Sequence, residues 1–183
     1  MPAAKAVDVV IEVGTKRVFA SAIDYPGWCR SGKTEALAIE QLLAYRDRYA
    51  AVALRAGVKV PTFTEATIVE RVNGNATTDF GAPAIPAQSE LLSKTKAQQV
   101  KLDRLLDACH QAFDDAVELA PAELRKGPRG GGRDTAKMAL HVSDVAKAYE
   151  RKCAKGDWTP AYTARRMAWH YTDHCWEIQD RTE

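Results

Sequence analysis

Apolar and polar positions change rhythm along the chain. Val7, Val9, Ile11 and Val13 alternate with Asp8 and Glu12, which predicts a strand with one buried face. Gly14-Thr15-Lys16 reads as a turn, and residues 18–24 (VFASAID) as a second strand closing a hairpin. Tyr25-Pro26-Gly27 ends it, because proline cannot donate to a ladder and glycine admits a turn. Residues 33–56 contain no breaker and place Ala36, Ile39, Leu43, Tyr45, Tyr49 and Val52 at helical spacing, with Gly57 as the stop. Residues 65–72 (EATIVERV) alternate again and predict a third strand, followed by the turn Asn73-Gly74-Asn75.

After residue 80 the period becomes helical. GAPAIP at residues 81–86 disfavours regular structure and predicts a linker over 81–87. Leu102, Leu106, Cys109, Phe113, Ala116 and Ala120 share one face of a long helix. Pro121 and the glycine-rich segment 126–133 break it, and Asp134 is placed to cap the next helix. That helix carries Met138, His141, Val142, Val145 and Tyr149 on one side. Gly156 interrupts again, Pro160 suits a first helical turn, and Ala164, Met167, Ala168, Tyr171, Cys175 and Ile178 form the last stripe. The predicted fold class is α+β: a ββαβ unit over residues 1–80, then an antiparallel helical bundle over 88–183.

Composition narrows the function classes. The 183 residues carry a formal net charge of +2, spread evenly, so no broad basic surface points to nucleic acid. No stretch approaches the roughly 18 apolar residues of a membrane span, and residues 1–5 lead into a strand without a signal-peptide core. A cytoplasmic protein is expected. Cys29, Cys109, Cys153 and Cys175 form no C-x-x-C pair and are read as reduced thiols.

The histidines carry the candidate chemistry. All four lie in the helical half. His170 and His174 are one turn apart, so both imidazoles project the same way. His170-Tyr171-Thr172-Asp173-His174 lacks the glutamate of the zincin motif. His141, beside Met138 and Val145, faces inward from the preceding helix. Inward imidazoles are costly unless they bind something, and three neutral nitrogens suit Zn, Ni or Fe(II). Asp144 and Glu177 lie one turn from His141 and His174 and are candidate acceptors of an imidazole N–H, ahead of Asp173. His110 and Cys175 are read as packing residues.

The H-x-x-x-H pair in ARRMAWHYTDHCWEIQD, with His141 in MALHVSDVAKAYERK, resembles the DinB-like superfamily of metal-binding helical bundles over roughly residues 88–181, and an actinobacterial subgroup in particular. That resemblance implies a divalent metal on His141, His170 and His174, and a low-molecular-weight thiol such as mycothiol as cosubstrate. Its bundles carry a helix between the two histidine helices, whereas here only residues 154–159 separate Cys153 from Pro160. A homodimer, or the N-terminal unit, is expected to cover the short side. Asp24-Tyr25-Pro26-Gly27-Trp28 and the segment from Ser31 to Ala38 resemble the HicB-like pattern, without an appended DNA reader.

The basic segment 125–133 precedes a helix N-terminus, so Arg129 and Arg133 are candidate anion ligands. Two functions remain open at this point. One is a metal-dependent enzyme acting on a small molecule. The other is a non-catalytic binding or regulatory protein that uses the HicB-like unit, with a structural metal or none.

Overall fold

The computed structural model describes residues 5–127 and 131–182. Strands β1 (Ala6–Val13), β2 (Val18–Ala22), β3 (Cys29–Gly32) and β4 (Glu65–Asn73) form one sheet in the order β3-β2-β1-β4. β1 runs antiparallel to β2 and parallel to β4, with a register shift between Val9 and Val10. The parallel pair needs a long crossover. It is supplied by α1 (Glu35–Ala44) and α2 (Arg46–Arg55).

The N-terminal unit is therefore βββααβ rather than the expected ββαβ. β3 was missed because Cys29-Arg30-Ser31-Gly32 has no apolar alternation; its ladder to β2 and the Ser21 Oγ to Cys29 Sγ contact at 3.0 Å hold it. The single helix expected over residues 33–56 is broken at Tyr45. The Trp28 indole donates to the Leu42 carbonyl at 2.7 Å, in the last turn of α1. A side chain inserted at the helical ladder is a recognised cause of such bends. Arg46, which starts α2, donates to the carbonyls of Val60 and Pro61. Gly57 follows α2 with φ +70°, the left-handed conformation that a helix stop requires.

β2 is buried along its whole length because both sheet faces are covered. One face packs on α1, α2 and Trp28; on the other, Phe19 and Cys29 meet Trp169. Glu12 on this second face is 3% exposed yet fully engaged. Its carboxylate accepts from Thr78 Oγ1, from the Ala84 N–H at 2.8 Å and from the Ile85 N–H at 3.1 Å. These bonds fasten the segment after α3 (Ala76–Phe80) across the sheet. The short α4 (Gln88–Leu91) follows, held by a buried ion pair between Glu90 and Arg165.

The helical half comprises α5 (Lys96–Leu119), α6 (Thr135–Ala154) and α7 (Pro160–Thr182), with no helix between the last two among the described residues. Thr95 and Gln98 close a capping box at the start of α5. Asp134 stands at the N-cap of α6, but its carboxylate accepts from the Leu124 N–H at 3.2 Å instead of capping the helix. α5 buries Leu105, Ala108 and Ala112 beside the expected Cys109, Phe113 and Ala116, because it packs on two neighbours, α7 and α2. α7 is the central element: besides its apolar stripe it buries Thr163, Arg166, His170, Thr172 and Arg181.

The fourth side of the bundle is filled from within the chain. α2 lies against α5 and α7, where Arg48 bonds Asp180 at 2.8 Å and Arg55 bonds Asp115 at 2.6 Å. The N-terminal unit thus covers the side left by the missing helix, one of the two covers expected from the sequence. One continuous core joins Ile11, Trp28 and Leu42 to Leu105, Met138 and Ile178. Among the described residues no helix is long and apolar enough to cross a membrane.

Candidate metal centre

α6 and α7 pack side by side and bring His141, His170 and His174 together. One nitrogen from each ring lies within 4.8 Å of the others, and among the described residues no further cluster of this kind occurs. The ring centroids stand 5.1 Å (His141–His170), 5.2 Å (His141–His174) and 4.6 Å (His170–His174) apart. His170 Nε2 and His174 Nε2 are 3.1 Å apart.

The donor set fits a divalent ion. Two nitrogens bound at about 2.0–2.1 Å in tetrahedral geometry stand about 3.3 Å apart. The His170–His174 separation is close to that edge, and the His141 nitrogen lies within 4.8 Å of both. Glu177 Oε2 lies 2.9 Å from His174 Nδ1. A carboxylate only accepts, so the His174 proton sits on Nδ1 and the Nε2 lone pair faces the other rings. Arg181 Nη1 holds the second Glu177 oxygen at 3.1 Å. Burial would raise the Glu177 carboxyl, but the contacts with His174 and Arg181 hold it below its ordinary value.

Burial, then the neighbouring His174, His141 and Arg166, push the pKa of His170 down to about 2. His141 is lowered too, first by burial and then by Arg133 and His174. Both imidazoles are therefore neutral and available as ligands. Replacing Glu177 by Gln weakens the hydrogen bond that orients His174. Glu177→Gln is expected to lower Zn(II) affinity by about 10–100-fold, measured by competition with a chromophoric chelator.

The histidines open onto a cleft of about 650 Å³ between the helical half and the loop around α3. Its walls include Phe80, Tyr149, Trp158 and Trp169, and Arg133 stands at its edge. Arg133 also offers its carbonyl to Arg181 Nη1 at 2.7 Å, which ties the basic segment to the residue that holds Glu177. Arg129 lies outside the described residues. Asp144 is exposed and makes no hydrogen bond with His141 among the described residues. Asp173 lines the cleft and bonds Arg30 at 3.0 Å.

The remaining histidine and the thiols are elsewhere. His110 stacks on Tyr171 at 4.4 Å and lies 3.6 Å from Asp114 on its own helix. Cys175 is in the core, its Sγ 3.3 Å from the Ala112 carbonyl, and burial pushes its thiol up to about 11.

One cleft residue was not singled out from the sequence. Arg166 is 4% exposed and lines the cleft. The available signal was its spacing, since Arg166, His170 and His174 recur every four residues along α7.

No family model matches the chain, and comparison with curated proteins and with solved structures returns no significant match.

Proposed function

We propose that the chain is a divalent-metal-dependent enzyme of the DinB-like type, acting in the cytoplasm on a small molecule with a low-molecular-weight thiol, such as mycothiol, as cosubstrate. The observation that carries this reading is the open side of the histidine cluster. Structural metal sites are closed by four protein ligands, whereas catalytic sites keep a position free. Here three histidines converge and the fourth direction is a cleft. The H-x-x-x-H pair and the inward His141 add the family likeness and, with it, the thiol. The HicB-like likeness of the N-terminal half enters as scaffold, since α3 and the segment after it wall the cleft.

His141, His170 and His174 would hold Zn, Ni or Fe(II). When bound, the ion supplies Lewis-acid polarisation of a substrate oxygen or a lowered pKa for a thiol or water. Glu177 keeps the His174 proton on Nδ1, and Arg181 keeps Glu177 ionised and in place. The aromatic side chains offer an apolar surface to one side of a ligand.

Elemental analysis of the purified full chain is expected to find about one Zn, Ni or Fe per chain, and the His170→Ala variant is expected to lose it. Protein loaded with Co(II) is expected to change its visible spectrum on addition of a thiol. Absence of bound metal defeats the proposal. Metal whose spectrum ignores every thiol and whose removal melts the protein assigns a structural ion instead.

A further inference from the structure

Arg166 is a buried cation that meets no anion among the described residues. Its side chain sits among the rings of Tyr149, Trp158 and Trp169, with the guanidinium carbon 5.1, 5.7 and 5.3 Å from their centroids. Nη2 donates to the Tyr149 hydroxyl at 2.6 Å. Nε and Nη1 are buried and have no hydrogen-bond partner among the described residues. Among the described residues Arg166 makes no ion pair, whereas the neighbouring Arg165 is paired with Glu90. A buried guanidinium with unmet donors is costly, and aromatic faces repay only part of that cost.

The rest of the cleft has the same sign. Arg133 and Lys152 line it with Arg166, and the one acidic residue lining it among those described, Asp173, is neutralised by Arg30. Phe80, Tyr149, Trp158, Tyr162 and Trp169 place five aromatic rings in its lining. Arg166 is one turn before His170, so about 6 Å along the helix separates the guanidinium's anchor from the first metal ligand.

We infer that the cleft takes a small carboxylate on a planar, apolar body, with the carboxylate on Arg166 and the body against the aromatic walls. This names the substrate class of the proposed metal site and rests on that reading for its chemistry, but not for the binding itself. Each unmet guanidinium N–H offers a charge-assisted hydrogen bond to a carboxylate oxygen. Of the three caging rings, Tyr149 and Trp169 are fixed on helices, while Trp158 lies on the short segment between α6 and α7. Admission of a carboxylate oxygen to Nε or Nη1 requires a ring to shift, and Trp158 is the one of the three outside a helix.

Benzoate is the probe, titrated into the full-length, metal-free protein and followed by tryptophan fluorescence. Saturable binding is expected, with benzamide, its uncharged isostere, weaker by about tenfold or more. Arg166→Gln is expected to lose about tenfold or more in benzoate affinity while leaving benzamide unchanged. Where Arg166→Gln fails to fold, the exposed pair Arg133→Ala and Lys152→Ala replaces it. That double variant is expected to weaken benzoate several-fold and to flatten its salt dependence. Equal binding of benzoate and benzamide, no binding of either, or full benzoate affinity in the variants overturns the inference. Benzoate binding to a protein that takes up no metal would sink the metal reading and leave the carboxylate site standing.

Discussion

Trp28→Ala is expected to cost about 3–5 kcal/mol, the range for removing a large buried aromatic side chain. Trp28 is fully buried and stacks on Tyr49 with ring centroids 5.6 Å apart. Tyr25 and Phe63 close the cluster around it. Its indole N–H bonds the Leu42 carbonyl and fixes where α1 ends, so the bend that aims α2 at α5 and α7 depends on it. The Tyr49 hydroxyl in turn donates to the Pro26 carbonyl at 2.8 Å. Because sheet and helices share one core, the loss is expected to be felt by both. Urea unfolding followed by far-UV circular dichroism and by tryptophan fluorescence should give coincident transitions, both shifted to lower urea. A helical signal that keeps the wild-type midpoint would show instead that the bundle stands on its own.

The sequence exposed those parts of the fold that have a local cause. β1 and β4 alternate, α5 to α7 carry helical stripes, and each was placed by its period. β3 has four residues and no stripe; only its pairing with β2 defines it. The bend at Tyr45 is set by Trp28 and by Arg46 reaching Val60 and Pro61, partners that no window around Tyr45 contains. The same holds for α2 as the fourth side of the bundle, since Arg48–Asp180 and Arg55–Asp115 join residues 132 and 60 positions apart.

The candidate site divides in the same way. His170 and His174 declare themselves by spacing, and His141 by its apolar neighbours. Arg166 was hidden because an arginine is expected at the surface. Its burial follows from three rings contributed by α6, α7 and the segment between them.

Gly27→Ala tests the same junction from the backbone side, and is expected to cost about 2–4 kcal/mol. Gly27 has φ +96°, a conformation that side-chain-bearing residues rarely adopt. A Cβ there would stand 2.7 Å from Cys109 Sγ and 3.3 Å from Thr172 Cγ2, so it meets α5 and α7 at once. The Gly27 carbonyl already accepts from Thr172 Oγ1 at 2.7 Å, which leaves the turn no room to withdraw. Two costs are thus combined, backbone strain and a clash with a packed thiol. A double-mutant cycle separates them. Cys109→Ala empties the space the new methyl needs, so Gly27→Ala is expected to be milder in that background by about 1–2 kcal/mol. The cost that persists is the strain of the positive φ. Simple addition of the two single-variant losses would mean that Cys109 is not the obstacle and that strain carries the whole effect. Either way the turn must stay bare, because it is the point where the hairpin touches both α5 and α7.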